Sequence, residues 1–222
     1  ATKAYIYVMD EYSQAYSMLN QALQQLKEYG LTGYNVFDSG VDLRISLVRG
    51  PGAFVCGEET ALINSIEGKR GMPRPKPPFP AIEGLFGKPT VINNVETLAN
   101  IPYILRHGPG RFNEIGTTEA KGTKVFAISG KAMITGMVEV AMGTKIRDII
   151  FKIAGGVKDG KDFKAVQIGG PSGSCLPASQ LDLCVGYETL WNADAIIGSG
   201  GMIVMDEDTC MVDIAKFFMN FL

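Results

Sequence analysis

The sequence predicts an α/β fold in which a strand–helix region is followed by a smaller module of short strands. Strand-like and helix-like segments alternate through the first half of the chain, and a strand–glycine–helix turn lies at Gly57. After Gly116 the pattern changes to short strands separated by tight glycines. We therefore expect a first domain over residues 1–115, a small module over 116–195, and a strand and first helix over 196–222.

The first domain is predicted to open with a strand at residues 4–8 and a helix over 11–29, whose apolar residues fall on one face. Alternating apolar residues at 43, 45 and 47 indicate a second strand. A short buried strand is expected over 53–56, with a helix starting at Glu58. That arrangement points backbone N–H groups and the positive end of the helix dipole beyond the strand end.

A further helix is predicted from near Asn94 to Arg106, closed by Gly108. The small module then begins with a hairpin of strands over 124–129 and 137–140, followed by a helix over 144–154. A strand at 165–168 leads into a glycine-rich turn at 169–173, and the last strand is expected at 202–205. Two strands, a helix and further strands in this order suggest a β-grasp-like module.

Composition excludes several classes of protein. The chain has 222 residues, 46% of them hydrophobic and 20% charged, and its net charge of −2 offers no positive field for nucleic acid. No apolar run is long enough to span a bilayer, and the first residues given lack the charged n-region and apolar h-region typical of a secretion signal. The four cysteines lack C-x-x-C spacing, so we expect them to be reduced and mostly buried in a soluble, cytoplasmic protein.

Three features within about forty residues predict a binding site around two helix starts. They are the Gly57-Glu58-Glu59-Thr60 turn, a basic, proline-stiffened loop over 69–80, and paired asparagines at Asn93 and Asn94. Each alone has a structural interpretation: first-turn acids, an exposed polyproline-like spacer and a helix N-cap. Together they indicate a site for a large, anionic, aromatic cofactor and a dinucleotide.

Acid–base and metal chemistry are not predicted. The one histidine, His107, falls in the last turn of a predicted helix, where it complements the helix dipole. Without a second histidine, neither Ser-His nor Cys-His catalysis is expected. The acids at 206–208 are interpreted as a helix-start cluster. We assign no catalytic residue and no metal ligand.

The motifs closely resemble the NADH-oxidising flavoprotein subunit of respiratory complex I, which recurs in NAD(P)-linked hydrogenases and formate dehydrogenases. The matching segments cover essentially the whole chain: residues 57–62, 67–71, 74–80, 84–90, 93–98 and 198–206. The resemblance implies the C-terminal half of a Rossmann-like flavin domain, then a β-grasp module of the soluble-ligand-binding (ubiquitin-like) type, then the start of a helical domain. The turn at 169–173 matches the glycine-rich turn of that module.

The resemblance also implies which residues bind cofactors. Lys76 would meet the dinucleotide pyrophosphate as a point charge, and Phe79 would stack on its base, a contact worth about 1–3 kcal/mol. Glu59 would face both FMN and NADH. The full set of implied cofactor-binding residues is Gly57, Glu58, Glu59, Lys76, Phe79, Asn93, Asn94 and Thr97.

Two parts of the family pattern lie outside these residues: an upstream glycine-rich phosphate loop and a downstream cysteine cluster for a 4Fe-4S centre. The chain opens on a strand at Ala1 and closes on an apolar helical end at 217–222, which predicts a piece of a longer polypeptide. We expect this piece alone to be inactive, with the 4Fe-4S cluster belonging to the full-length protein.

The resemblance implies hydride transfer from NADH or NADPH to FMN, followed by electron transfer to iron–sulfur clusters of a multisubunit complex. The expected partners are a thioredoxin-like 2Fe-2S subunit and a larger iron–sulfur subunit, without nucleic acid and without direct membrane insertion. A complex could hold the cytoplasmic protein at the inner face of a membrane. The alternative is a non-catalytic docking or ligand-binding module centred on the β-grasp region. The electron acceptor (quinone, ferredoxin or hydrogenase) and the choice of NAD or NADP stay open.

Overall fold

The computed structural model describes residues 1–221; Leu222, at the predicted apolar end, lies outside them. The described chain is a mixed α/β protein, as predicted. It divides into two compact units, with the boundary between Asn94 and Val95.

The first unit begins with a parallel strand–helix–strand arrangement. Strand β1 (Lys3–Met9) leads into helix α1 (Ser13–Glu28), which returns the chain to strand β2 (Arg44–Gly50). The strands pair in parallel, with Ile6 opposite Leu47. A parallel pair requires such a crossover, because the second strand must start at the same end as the first.

The predicted strand over 53–56 is wrong. Phe54–Gly57 is a 3₁₀ turn, and helix α2 follows over Glu59–Ile66. The side chains of Phe54 and Val55 are 54% and 40% exposed, so this apolar run is not the interior of a sheet. The remaining 3₁₀ turns are Val36–Asp38, Leu85–Gly87, Lys158–Gly160 and Ala178–Gln180.

The second unit begins with helix α3, which runs over Val95–Asn113. Gly108 has a φ of +82° and breaks the helical conformation where the sequence predicted a stop. The predicted end of the first helical segment near Arg106, closed by Gly108, is therefore confirmed, and helical structure resumes after the break. A glycine tolerates this left-handed backbone without a steric cost, which explains both the break and its position.

A five-stranded mixed sheet forms the centre of the second unit. Its order is β4-β3-β7-β5-β6, with β3 and β7 parallel and the other pairs antiparallel. The predicted hairpin is confirmed, with Phe126 opposite Val138. The last strand of the chain lies in the middle of this sheet. The strands are β3 (Thr123–Gly130), β4 (Gly136–Ala141), β5 (Phe163–Ile168), β6 (Ser174–Pro177) and β7 (Gly201–Asp206).

One face of this sheet is covered by an apolar core. The predicted helix over 144–154 is observed as a π-helical segment, Asp148–Ile153, whose Ile149 and Ile150 are fully buried. They pack with strand residues such as Phe126 and Met202. Two short helices complete the unit: α4 (Tyr187–Trp191) and α5 (Met211–Phe221).

The cysteines differ from the prediction that most are buried. Cys56 is buried, but Cys175 and Cys210 are exposed, and all four are free thiols. Over residues 1–221, none of the helices combines the length and the apolar character needed to cross a membrane.

Candidate functional site

The site is built on the start of helix α2. Glu58 is the N-cap, and one oxygen of its carboxylate accepts backbone N–H bonds from Thr60 at 2.8 Å and Ala61 at 2.9 Å. The same oxygen accepts the Thr60 hydroxyl. A carboxylate in this position satisfies otherwise unpaired N–H groups and complements the helix dipole. The interpretation of Glu58 as an acid that stabilises the helix start is therefore correct. This capping role occupies one of the two carboxylate oxygens.

The other oxygen of Glu58 lies 3.5 Å from the ammonium group of Lys76, which also binds the carboxylate of Glu59. The chain thus brings together three predicted site residues that lie up to eighteen positions apart. Each of the three side chains is 30% to 39% exposed, so the cluster is open to solvent on one side.

The contacts within this cluster shift the pKa values of Glu58 and Lys76. Burial raises the pKa of the Glu58 carboxyl. The hydrogen bonds from Thr60, Ala61 and Lys76 together lower it by more, so the net shift of the pKa is downward. The Glu59 hydrogen bond raises the pKa of Lys76. The Glu58 carboxylate and the Lys76 ammonium group are therefore charged at neutral pH.

The proline loop that carries Lys76 is fastened to α2 rather than free. The buried hydroxyl of Thr60 accepts the backbone N–H of Arg74 at 2.7 Å, and the amide of Asn64 donates to the carbonyl of Met72 at 2.7 Å. Gly71 lies so close to Cys56 that a Cβ there would come within 2.6 Å of the sulfur. These contacts argue against a free spacer, although residues 75–79 are exposed, and they explain why Lys76 meets the helix start.

The other predicted site residues are exposed and lie on elements that follow this cluster. Phe79 is 53% exposed, and its carbonyl accepts the backbone N–H groups of Ile82 and Glu83 in the turn after the loop. Asn93 and Asn94 precede α3, and Thr97 lies in its first turn within the second unit. Among residues 1–221, the hydrogen bonds and ion pairs of the cluster do not extend to Phe79 or Asn93.

The donor set fits an FMN and a dinucleotide. A Cβ at Gly57 would meet no atom within 4 Å, so a flat ligand has room to approach the backbone there. The exposed residues Asn93 and Asn94 carry amides, a group that contains both the donors and the acceptors that the edge of a flavin ring requires. The exposed ring of Phe79 offers a stacking face.

Sequence reasoning missed the residues that support this site. Thr60 and Asn64 hold the loop, and Glu67 binds the ammonium group of Lys69 at 2.6 Å and the backbone N–H of Phe86 at 2.7 Å. Glu67 also lines a cavity of about 250 Å³. The other lining residues are Lys69, Arg74, Glu83, Phe86 and Gly87. Thr60 and Asn64 fall one turn apart on α2, a spacing that puts both on one helix face and could have indicated their common role.

The fold and the site define an α/β protein with a polar, partly exposed binding site at a helix start. Residues 1–103 match the Nuo51 FMN-binding domain family. Over 221 residues the chain is 56% identical to the NADP-reducing hydrogenase protein HndC of Solidesulfovibrio fructosivorans and 45% identical to the F subunit of the NADH-quinone oxidoreductase of Aquifex aeolicus. Both alignments cover 100% of this chain. They cover 45% of the length of HndC and 50% of the length of the Aquifex aeolicus subunit.

A solved structure gives the same result. The crystal structure of an NAD⁺-reducing [NiFe]-hydrogenase in the H₂-reduced state superposes with a TM-score of 0.84 at 34% identity, covering 100% of this chain and 36% of that one. The resemblance predicted from the motifs is confirmed: residues 1–103 match the Nuo51 FMN-binding domain family, and the whole chain is similar to these oxidoreductase and hydrogenase subunits. The chain spans about half the length of the relatives it matches.

Proposed function

We propose that this chain forms part of a flavoprotein subunit that oxidises NADH or NADPH and passes electrons to iron–sulfur clusters of a multisubunit complex. The observation that carries the proposal is the meeting of Glu58, Glu59 and Lys76 at the start of α2, within a matched FMN-binding domain. When bound, FMN accepts a hydride and releases electrons one at a time.

The protein residues bind and orient. Gly57, Glu58, Glu59, Asn93, Asn94 and Thr97 would hold FMN, and Glu59, Lys76 and Phe79 would hold the dinucleotide. Lys76 already neutralises part of the charge of two carboxylates, so an incoming pyrophosphate must share or displace these contacts. We infer that this exchange limits the affinity for the dinucleotide, because contacts already made must be given up. Hydride transfer needs no proton donor at this site, which agrees with a donor set that contains no histidine.

The domain assignment is part of the same proposal. The parallel pair β1 and β2 with its crossover helix supports a Rossmann-like first domain. The sheet order β4-β3-β7-β5-β6, with a parallel central pair, supports a β-grasp module. We propose domains over residues 1–115, 116–195 and 196–222, although β7 from the last of these lies within the sheet of the second.

The relatives' names support partner subunits in a multisubunit complex, and the particular partners proposed are those that the motif resemblance implies. HndC is named as part of an NADP-reducing hydrogenase, and the Aquifex aeolicus relative is named as part of an NADH-quinone oxidoreductase. We propose a thioredoxin-like 2Fe-2S subunit and a larger iron–sulfur subunit as partners, and a 4Fe-4S cluster in the full-length protein. A cytoplasmic location is proposed from the composition and from the free cysteines.

The test is steady-state oxidation of NADH by the full-length protein with an artificial electron acceptor. Lys76→Met and Glu59→Gln should each raise the KM for NADH about tenfold with little change in kcat, because both remove binding contacts. Lys69→Met is the matched control, since Lys69 lies in the same loop but pairs with Glu67. An unchanged KM in both site variants would contradict the site assignment.

A second candidate function, ligand binding or docking by the β-grasp region, is favoured by one observation. An apolar cavity of about 360 Å³ includes the exposed rings of Tyr187 and Trp191. Its lining residues are Tyr187, Glu188, Trp191, Ala195, Ile196, Ile197 and Gly198. This function predicts a protein that stays colourless with FMN and a binding footprint within the second unit. A visible spectrum with FMN, before and after NADH, separates the two functions.

A further inference from the structure

A buried lysine in strand β3 lies outside the cofactor site described above. Lys124 is 7% exposed and occupies the same side of the strand as Phe126 and Ile128, which belong to the apolar core. A lysine is rarely buried unless its charge is paired, because removing an ammonium group from water is costly. Its burial therefore depends on its partner.

That partner is Glu96, in the first turn of helix α3. One oxygen of Glu96 binds the ammonium group of Lys124, and the other accepts the backbone N–H of Val125 at 2.9 Å. The carboxylate thus makes two contacts with consecutive residues of one strand. Burial raises the pKa of the Glu96 carboxyl. Lys124 and the Val125 N–H together lower it by more, so the net shift is downward and the group is ionised at neutral pH.

The carboxylate takes the place of a strand neighbour. Pairing of β3 with β7 begins only at Ala127, whose N–H donates to the carbonyl of Gly200 at 2.8 Å. The N–H of Val125 lies two residues earlier on the same edge, where Glu96 accepts it. Gly200 has a φ of +91°, and a Cβ there would come within 2.2 Å of the Val125 carbonyl. The beginning of β3 therefore contacts two other elements: the start of α3 through Glu96, and the turn before β7 through Gly200.

We infer that Glu96 and Lys124 are positioning residues for the FMN site, since together they fix the helix start that carries Thr97 and directly follows Asn93 and Asn94. The inference rests on the proposed function, because those three residues are proposed FMN ligands. Neither member of the pair touches the cofactor in this role. A displaced helix start would move the amide and hydroxyl groups away from the flavin edge, and a small displacement is enough to weaken binding.

The test is FMN affinity of the full-length apoprotein, measured by quenching of flavin fluorescence, with the position of the bound flavin's visible band as a second readout. Lys124→Met should raise the Kd for FMN about tenfold and shift that band. Lys124→Arg keeps the charge and should restore most of the affinity. Circular dichroism melting of each variant reports folding independently of the cofactor.

The matched control is Lys152→Met, which removes another lysine of the second unit. Lys152 pairs with Asp148 at 2.9 Å and is 74% exposed, so its loss should leave FMN affinity unchanged. If Lys124→Met does not fold, Glu96→Gln provides the second test, because its amide oxygen still accepts the Val125 N–H. It should also raise the Kd about tenfold.

The outcomes distinguish the inference from the proposed function. If the unsubstituted protein binds FMN and the folded Lys124 or Glu96 variants bind it with the same Kd, the inference alone is overturned. A lower melting temperature with unchanged Kd and unchanged band position would show a purely structural ion pair and would also overturn it. Failure of the unsubstituted protein to bind FMN would overturn the proposed function and the inference together.

Discussion

The hydroxyl of Thr60 accepts the backbone N–H of Arg74 at 2.7 Å, and this contact fastens the proline loop to the first turn of α2. Thr60 is 2% exposed and also bonds to Glu58, so it links the N-cap to the loop. The position of Lys76, two residues after Arg74, depends on this link. The dinucleotide side of the proposed site is thus set by a buried threonine.

Thr60→Val keeps the shape of the side chain but removes the acceptor for Arg74. Leaving that N–H without a partner should lower the free energy of unfolding by about 1–3 kcal/mol. The loop should also become a better protease substrate, with faster tryptic cleavage after Arg70. Thr144→Val, which removes a hydroxyl bonded to the Ala141 carbonyl, is the control. Equal cleavage rates in the two variants would contradict the role of Thr60.

Gly71→Ala should destabilise the first unit, because its Cβ would come within 2.6 Å of the Cys56 sulfur. Overpacking of this kind costs about 1–3 kcal/mol. Adding Cys56→Ala removes the clashing sulfur, so the double variant should be less destabilised than the sum of the single variants. Urea denaturation of all four proteins measures this difference. Simple additivity would show that the two residues do not press on each other.

Gly57→Ala should separate stability from cofactor binding. Its Cβ would meet no atom of the protein within 4 Å, and its φ lies outside the left-handed region, so stability should change by less than about 0.5 kcal/mol. The methyl group would fill space proposed for the flavin, and the Kd for FMN should rise about tenfold or more. Gly110→Ala, also in open space, is the control. Unchanged FMN affinity in Gly57→Ala would remove Gly57 from the site.

Acid should weaken the protein partly through Glu67. Lys69 lowers the pKa of this nearly buried carboxyl below its ordinary value of 4.5, and the N–H of Phe86 adds to this against the opposing effect of burial. The folded protein then binds that proton less readily than the unfolded chain. The stabilisation is fully present above pH 4.5 and is lost as pH falls through the lower folded-state value.

Glu67→Gln should therefore lower the free energy of unfolding at neutral pH by about 1–3 kcal/mol, with a difference that shrinks in acid. Urea denaturation at a series of pH values measures it. Glu83→Gln, on an exposed carboxylate of the same cavity, is the control. A deficit that stays constant down to about pH 3 would show that the charge of Glu67 is not involved.

The sequence predicts the elements of the fold better than their arrangement. The apolar run at 125–128, bounded by glycines on both sides, predicts β3, which forms the expected hairpin with β4. The apolar run at 53–56 predicts a strand but forms a 3₁₀ turn, because a short apolar run looks the same in the sequence of a strand and of an irregular turn. The place of β7 between β3 and β5 depends on long-range pairing, for which local sequence carries no signal.

The same limit applies to the site. The residue types at Glu58, Glu59 and Lys76 could be singled out from the sequence, but their pairing depends on how the loop folds back over α2. The Glu96–Lys124 pair went unnoticed, although one signal was available. A lysine on the inward side of a strand, in phase with Phe126 and Ile128, indicates a buried charge that needs a partner.

The central place of β7 has a consequence for synthesis of the chain. The ribosome completes β3, β4, β5 and β6 before β7 is available, and until then β3 and β5 each present an unpaired edge. Such edges can pair with other chains and lead to aggregation. Pairing of β3 with a strand more than seventy residues later also makes this sheet slow to form. Nascent chains arrested before Gly201 should thus be the species that most need a chaperone.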